Sequence, residues 1–188
     1  MLFSDEQLMV QLIEEDNFEA FEELLNRYEK PLFNFLAKSL DNYHAAQDCF
    51  QEVFYRIYKH RKTYNPDFKF KSWLYRIANN LCIDEIRKKT HSETGIAQNA
   101  LQPELFNSCS PETRLIRDDM EEKISSLVRG LPEKLRTVLI LSQYEKFQLS
   151  EIAALLSIPE GTVKSRLSNA FKRLILLAEQ GGLLDDLR

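Results

Sequence analysis

The stretch from Phe68 to Lys89 does most to limit what this chain can fold into. At helical spacing Phe70, Trp73, Leu74, Ile77, Ala78 and Leu81 share one face, a band wide enough for a core-facing helix. A second stripe, Arg76, Asn80, Ile83 and Arg87, runs along another side and is mostly polar. Arg87, Lys88 and Lys89 close the helix, where cations suit its dipole. Such a helix has to bury its broad face against other elements, and the rest of the chain offers helices.

Gly and Pro are scarce, at 5 and 6 of 188 residues, which favours helices over turn-rich sheet. The expected fold is therefore all-α. Ser4-Asp5-Glu6-Gln7 has the form of a capping box, and Leu8, Leu12 and Ile13 give the first apolar stripe. Asp16-Asn17 can end that helix and cap the next, which carries Phe18, Phe21, Leu24, Leu25 and Tyr28. Pro31 is expected in the first turn of a further helix with Leu32, Phe33, Phe35 and Leu36. The next helix spans His44 to Arg61, with Phe50, Val53, Phe54 and Ile57 inward. Asp48, Gln51, Glu52, Tyr55 and Lys59 form its outward stripe, either a solvated face or a docking surface for another helix. A loop from Arg61 to Asp67 follows, turning at Asn65-Pro66-Asp67 and carrying Lys62 and Tyr64.

From Thr90 to Ser110 the helical pattern stops, and Ser, Asn, Gln, Thr and Pro dominate. A stretch of this length without periodicity is unusual inside one compact domain. It divides the chain into a first helical domain at 1–90, a flexible linker at 91–111 and a second helical domain at 112–188. Pro111-Glu112 opens a helix through Leu115, Ile116, Met120, Ile124, Leu127 and Val128, which Gly130 can stop.

The second domain holds a helix-turn-helix pattern. Leu131-Pro132-Glu133 begins a helix with Val138, Leu139 and Leu141, and Leu149 to Leu174 then reads as helix, tight turn, helix. Ile152, Leu155, Leu156 and Ile158 pack the first helix and the turn, and Ala153 is small enough for a close crossing. Val163, Leu167, Ala170 and Leu174 anchor the second helix from behind. Its opposite face shows Ser165, Ser168, Asn169 and Lys172, flanked by Lys164 and Arg166. Short polar and basic side chains can enter a major groove and meet base edges and phosphates.

Charge is distributed to match. The net charge is −4, yet Arg56 to Lys89 carries ten bases against three acids, and Lys134 to Arg173 seven against three. Met1 to Lys30 carries nine acids against two bases. Two basic zones in an acidic protein suggest local contact with a polyanion. No apolar run is long enough to span a bilayer, and the start of the chain has no secretion signal, so a cytoplasmic protein without membrane insertion is expected. Cys49, Cys82 and Cys109 read as reduced thiols, and His44, His60 and His91 lack metal-ligand spacing. No cofactor and no metal are expected. No carboxylate cluster or nucleophile with its base stands out, so the chain does not read as an enzyme.

Taken together, these motifs resemble a bacterial sigma factor of the extracytoplasmic-function type, the minimal two-domain kind. Asp48-Cys49-Phe50-Gln51-Glu52-Val53-Phe54 resembles the helix that such factors dock on core RNA polymerase. Trp73-Leu74-Tyr75-Arg76-Ile77-Ala78-Asn79-Asn80 and Ile83-Asp84-Glu85-Ile86-Arg87 resemble the promoter-opening segment. Leu131-Pro132-Glu133 and Pro159 to Arg166 resemble the fourth sigma region. Lys146 departs from the family, which often has Gly there. The resemblance implies core-polymerase contacts at Asp48, Gln51, Glu52 and Tyr55. It implies minus-ten DNA contacts at Lys62, Tyr64, Lys69, Lys71, Arg76, Asn80, Arg87 and Lys88. It implies minus-thirty-five contacts at Lys164, Ser165, Arg166, Ser168, Asn169 and Lys172. The implied partners are core RNA polymerase, promoter DNA and an anti-sigma factor, and the implied role is transcription of a stress or envelope regulon. The rival reading from the residues is a stand-alone helix-turn-helix regulator.

Overall fold

The computed structural model describes residues 3–40, 42–92 and 123–180, and among these residues there is no strand. The helices are α1 (Asp5–Glu14), α2 (Phe18–Leu40), α3 (Tyr43–His60), a 3-10 turn (Arg61–Thr63) and α4 (Phe70–Ser92), then α5 (123–129), α6 (Glu133–Gln143), α7 (Leu149–Leu156) and α8 (Glu160–Gln180). The linker expected at 91–111 lies outside the described residues except for its first two, which extend α4. The helix expected from Pro111 through Met120 also lies outside them, as does Cys109.

Local chemistry sets the helix ends. The Ser4 amide donates to Gln7 Oε1 at 2.8 Å and the Gln7 amide to Ser4 Oγ at 3.2 Å, the reciprocal capping box expected of α1. Asp16 turns left-handed at φ 52, and Asn17 Oδ1 accepts from the Glu19 and Ala20 amides at 3.0 and 3.3 Å. Asn42 caps α3 in the same way, its Oδ1 taking the Ala45 amide at 3.1 Å. Pro31 does not begin a helix; α2 runs straight through it. An interior proline costs about 3 kcal/mol. The helix survives because Leu24, Tyr28, Leu32, Phe35 and Leu36 are buried on either side of it, and each such burial is worth about 1.5–3 kcal/mol.

In the first domain α1, α2, α3 and α4 close around Leu12, Leu24, Leu32, Val53, Ile57 and Phe70. The expected apolar face of α4 is inside: Phe70, Leu74, Ala78 and Leu81 are buried, and Trp73 and Ile77 are half-buried. Cys82 is buried beside Ser39 of α2, and Tyr75 is buried because α4 is covered from a second side. That cover is the second domain. α6 packs on α2 and α7 packs on α4, so the two helical domains are closed on each other.

In the second domain Val138, Ile140, Leu141, Ile152, Val163 and Ala170 form the centre. α5 stops at Gly130, whose amide reaches the Ser126 carbonyl at 3.0 Å. The tight turn after α7 is made by Ser157 at φ 54, with the Ile158 amide returning to the Ala153 carbonyl at 3.0 Å. Lys146, between α6 and α7, is also left-handed at φ 59. That backbone gives a physical reason for the glycine common at this place in the family it resembles.

Candidate nucleic-acid interface

The helix-turn-helix presents one polar face. Val163, Leu167 and Ala170 seat α8 on α6 and α7, which leaves Lys164, Ser165, Ser168, Asn169 and Lys172 exposed. Arg166 is half-buried at the edge of this face. Lys164 pairs with Glu160 one turn earlier at 2.9 Å. The Ser165 hydroxyl donates to the Thr162 carbonyl at 3.0 Å, so toward a ligand it offers its lone pairs.

A second surface is the groove between α3 and α4. Asp48, Gln51 and Tyr55 are exposed and Glu52 is half-buried, so the outward stripe of α3 faces solvent as expected. Asp48 and Glu52 line the groove with Asp84 and Glu85 of α4. Arg56, Arg87 and Lys88 line it as well, and Glu52 pairs with Arg56 at 2.7 Å while Glu85 pairs with Lys88 at 3.1 Å. Arg87 and Lys88, expected with the minus-ten contacts, thus also border the acidic α3 surface. Cys49 lies in this groove, its thiol pushed up to about 11 chiefly by burial. Burial also raises the Cys82 thiol, so neither cysteine is a ready nucleophile. No group of three or more metal-ligating residues occurs among the described residues.

The third surface is the loop before α4 and the polar stripe of α4. Lys62, Lys69, Arg76 and Asn80 are exposed and Lys71 is half-buried. Tyr64 departs from its expected role as a DNA contact. It is 6% exposed, its ring packs on Trp73 at 5.1 Å and Phe70 at 6.2 Å, and its hydroxyl donates to the Phe68 carbonyl at 2.6 Å. Tyr64 therefore pins the loop from beneath, and burial pushes its hydroxyl up to about 12.

Three of the expected minus-ten residues are held by the second domain. Lys69 Nζ pairs with Glu151 of α7 at 2.6 Å, which raises the lysine and lowers the carboxylate relative to their ordinary pKa values. Lys71 Nζ donates to the Glu145 carbonyl at 2.6 Å and lies 4.6 Å from the centre of the Phe147 ring. Arg76 reaches Ser157 Oγ at 3.4 Å. At the centre the Tyr75 hydroxyl donates to the Glu145 carboxylate, and the Tyr75 ring stacks edge-on between Phe35 at 5.2 Å and Phe147 at 5.3 Å. Burial pushes Glu145 above the usual carboxylate range, opposed by the Tyr75 bond and by Lys71 and Lys38. Nothing in the residue spacing marks Tyr75, Glu145 or Phe147 as a contact between the domains. Only a tyrosine on the flank of an apolar helix face, and an acid in a short turn, were visible.

Comparison with known proteins finds two family matches along the chain. Residues 24–92 match the family described as "Sigma-70 region 2", and residues 121–174 match "Sigma-70, region 4". The chain is 32% identical over 165 residues to the ECF RNA polymerase sigma factor SigW of Bacillus subtilis, covering 84% of this chain and 88% of that one. It is 28% identical to the RNA polymerase sigma-H factor of Pseudomonas aeruginosa, covering 88% and 89%. It is 26% identical to the ECF RNA polymerase sigma-E factor of Escherichia coli K12, covering 88% and 90%. In fold it resembles CnrH solved with the cytosolic domain of CnrY, at TM-score 0.71, 22% identity and coverage of 94% and 97%. It also resembles the sigma factor RpoE of Bartonella quintana solved with the anti-sigma factor NepR, at TM-score 0.70, 21% identity and coverage of 85% and 96%. With a relative of this identity along most of its length and both sigma-70 regions in order, the chain belongs to the ECF sigma factors of the sigma-70 family.

Proposed function

We propose that this protein is a cytoplasmic initiation factor with no catalytic residues, whose three surfaces divide the work of a sigma factor. It binds core RNA polymerase and directs promoter recognition and transcription initiation. The observation that carries this is the exposed polar and basic face of α8 within a chain whose domains match sigma-70 regions 2 and 4. Asp48, Gln51, Glu52 and Tyr55 meet the polymerase, the two carboxylates one helical turn apart suiting a basic helix. Lys62, Lys69, Lys71 and Arg76 carry the backbone of the separated strand at the minus-ten element. Asn80, with both donors and an acceptor, reads a base edge there. Arg87 and Lys88 lie further along α4 and bind phosphate, while Tyr64 shapes the loop from below. On α8, Lys164, Lys172 and Arg166 set register on phosphates, and Ser165, Ser168 and Asn169 read the minus-thirty-five major groove.

The second domain holds Lys69, Lys71 and Arg76 in the closed arrangement, so it has to leave α4 before these residues meet DNA. Polymerase can drive that step only through tighter binding to the open arrangement. CnrH and RpoE are known in complexes with CnrY and NepR. A regulator of the anti-sigma kind is the corresponding partner here, and a stress or envelope regulon the corresponding target.

The test is promoter binding with and without purified core polymerase. Specific binding is expected only with core present. Tight, specific binding by the protein alone would support a stand-alone regulator instead.

A further inference from the structure

The acidic start of the chain takes no part in the three surfaces, yet its first helix reaches the beginning of α4. Glu6 Oε1 accepts the Phe70 amide at 3.1 Å, a bond between residues 64 apart in sequence. Phe70 is the first residue of α4, and a helix leaves its first amides without partners of its own. The usual remedy is a short polar side chain just before the helix. That place holds Lys69, which has no acceptor, and its ammonium pairs with Glu151 instead. The first turn of α4 has no acid, and Lys69 and Lys71 put two cations at the positive end of the helix dipole. Lysines placed there suit phosphate and oppose the helix start. Glu6 supplies the missing acceptor from another helix.

Glu6 is itself held in place. Asp5 beside it accepts from Arg27 Nη1 at 2.8 Å and from the Tyr28 hydroxyl. Arg27 also donates to the Phe3 carbonyl at 2.9 Å. The Tyr28 ring meets the Phe70 ring edge-on at 5.4 Å. The half-buried pair Asp5 and Glu6 therefore ties α1 to α2 and to the first residue of α4. Its charge also reaches the strand-binding lysines: the Lys69 ammonium, raised chiefly by Glu151, is raised by Glu6 as well.

We infer that Glu6 is a positioning residue for strand capture, its carboxylate capping α4 so that Lys69, Lys71 and Arg76 meet the separated strand at fixed places. This deepens, and rests on, the assignment of that surface to the minus-ten element. The role belongs to the reach of the side chain more than to its charge. A negative charge beside Lys69 repels phosphate, so the carboxylate aids binding only by ordering the helix start. Two substitutions separate these effects. Glu6→Asp keeps the charge but is one methylene shorter and loses the Phe70 amide. Glu6→Gln keeps the length and an acceptor oxygen and drops the charge.

The test uses holoenzyme reconstituted from full-length protein and core polymerase, with a labelled single-stranded minus-ten oligonucleotide. Losing a cap shifts a helix-end equilibrium by about fivefold. Glu6→Asp should therefore weaken strand binding and minus-ten permanganate reactivity by about that factor, and Glu6→Gln should retain both. Core affinity should match the wild type in each. The salt dependence of strand binding should not change, because no phosphate contact is lost, whereas Lys69→Ala should lower it. Wild-type strand affinity in a folded Glu6→Asp protein would overturn the inference. So would a loss in Glu6→Gln as large as that in Glu6→Asp, or an equal fall in core affinity, the mark of a general loss of structure. Lys71→Ala with Arg76→Ala, measured in parallel, separates the two levels. If that pair loses affinity and Glu6→Asp does not, only the positioning role fails. If the pair keeps it, the stripe is not the strand-binding surface.

Discussion

Removing one hydroxyl should loosen the closed arrangement of the two domains. In Tyr75→Phe the ring keeps its places against Phe35 and Phe147, and the bond to Glu145 is lost. Glu145 is 7% exposed, so its carboxylate cannot recover that bond from water while the domains stay closed. A hydrogen bond to a charged group contributes about 1.5–3 kcal/mol. Taking about 2 kcal/mol, the closed-to-open ratio falls roughly 30-fold, since each 1.4 kcal/mol is about a factor of ten. The pair of Lys69 and Glu151 holds less, because the lysine side chain is 71% exposed and solvent screens the charges. The change is visible as lower energy transfer between dyes on cysteines introduced at exposed Glu22 and Glu179. A Cys109→Ser background suits this labelling, as Cys49 and Cys82 are buried. Association with core polymerase should also speed up. If transfer efficiency and association rate both match the wild type in a folded Tyr75→Phe protein, the Tyr75–Glu145 contact does not hold the domains together.

Four further outcomes follow from particular residues. Glu145 is raised in the closed state, so its charge opposes closure above the raised pKa, and closure strengthens as pH falls through that value toward the ordinary 4.5. Glu151 is lowered and its pair weakens only below the ordinary range, so Glu145→Gln should flatten the pH dependence of energy transfer above it. Reversing Asp48 and Glu52 to Lys should cut core affinity at least roughly tenfold, as measured with labelled protein. Thermal stability should hardly change, because the lost Glu52–Arg56 pair is an exposed helical pair worth about 0.3–0.5 kcal/mol. Asn80→Ala should spare core binding but reduce permanganate reactivity of thymines in the minus-ten element, and wild-type reactivity would remove Asn80 from the interface. Lys146→Gly should stabilise the protein by about 1 kcal/mol in urea titration, because it relieves a left-handed residue with a side chain.

The helix faces were legible wherever one sequence period decided burial. The inward residues of α4 and α8 and the caps at Ser4 and Asn17 were all visible in the spacing of apolar and capping residues. Pro31 misled, because proline marks a helix start only when burial around it does not override the local cost. Tyr64 misled for a related reason. An aromatic in a basic loop looks available to DNA, but Phe70 and Trp73 lie close enough in the fold to bury it. The second buried side of α4 was not legible, since the partners of Tyr75 and Lys71 lie some seventy residues away in sequence. Glu145 reads as a solvated turn acid until the packing of α7 on α4 is known. The left-handed turns at Lys146 and Ser157 carry no glycine to announce them.

The most direct test of the central claim is transcription in vitro from a library of randomised promoters, using purified core polymerase with and without this protein. Discrete transcripts should appear only when both are present, starting downstream of a shared pair of minus-thirty-five and minus-ten elements. Ser165 and Asn169 variants should shift the enriched upstream element, and a Lys172 variant should lower output from all promoters about equally. Transcripts that do not depend on the protein, or an upstream element unchanged by the Ser165 and Asn169 variants, would contradict promoter reading by α8.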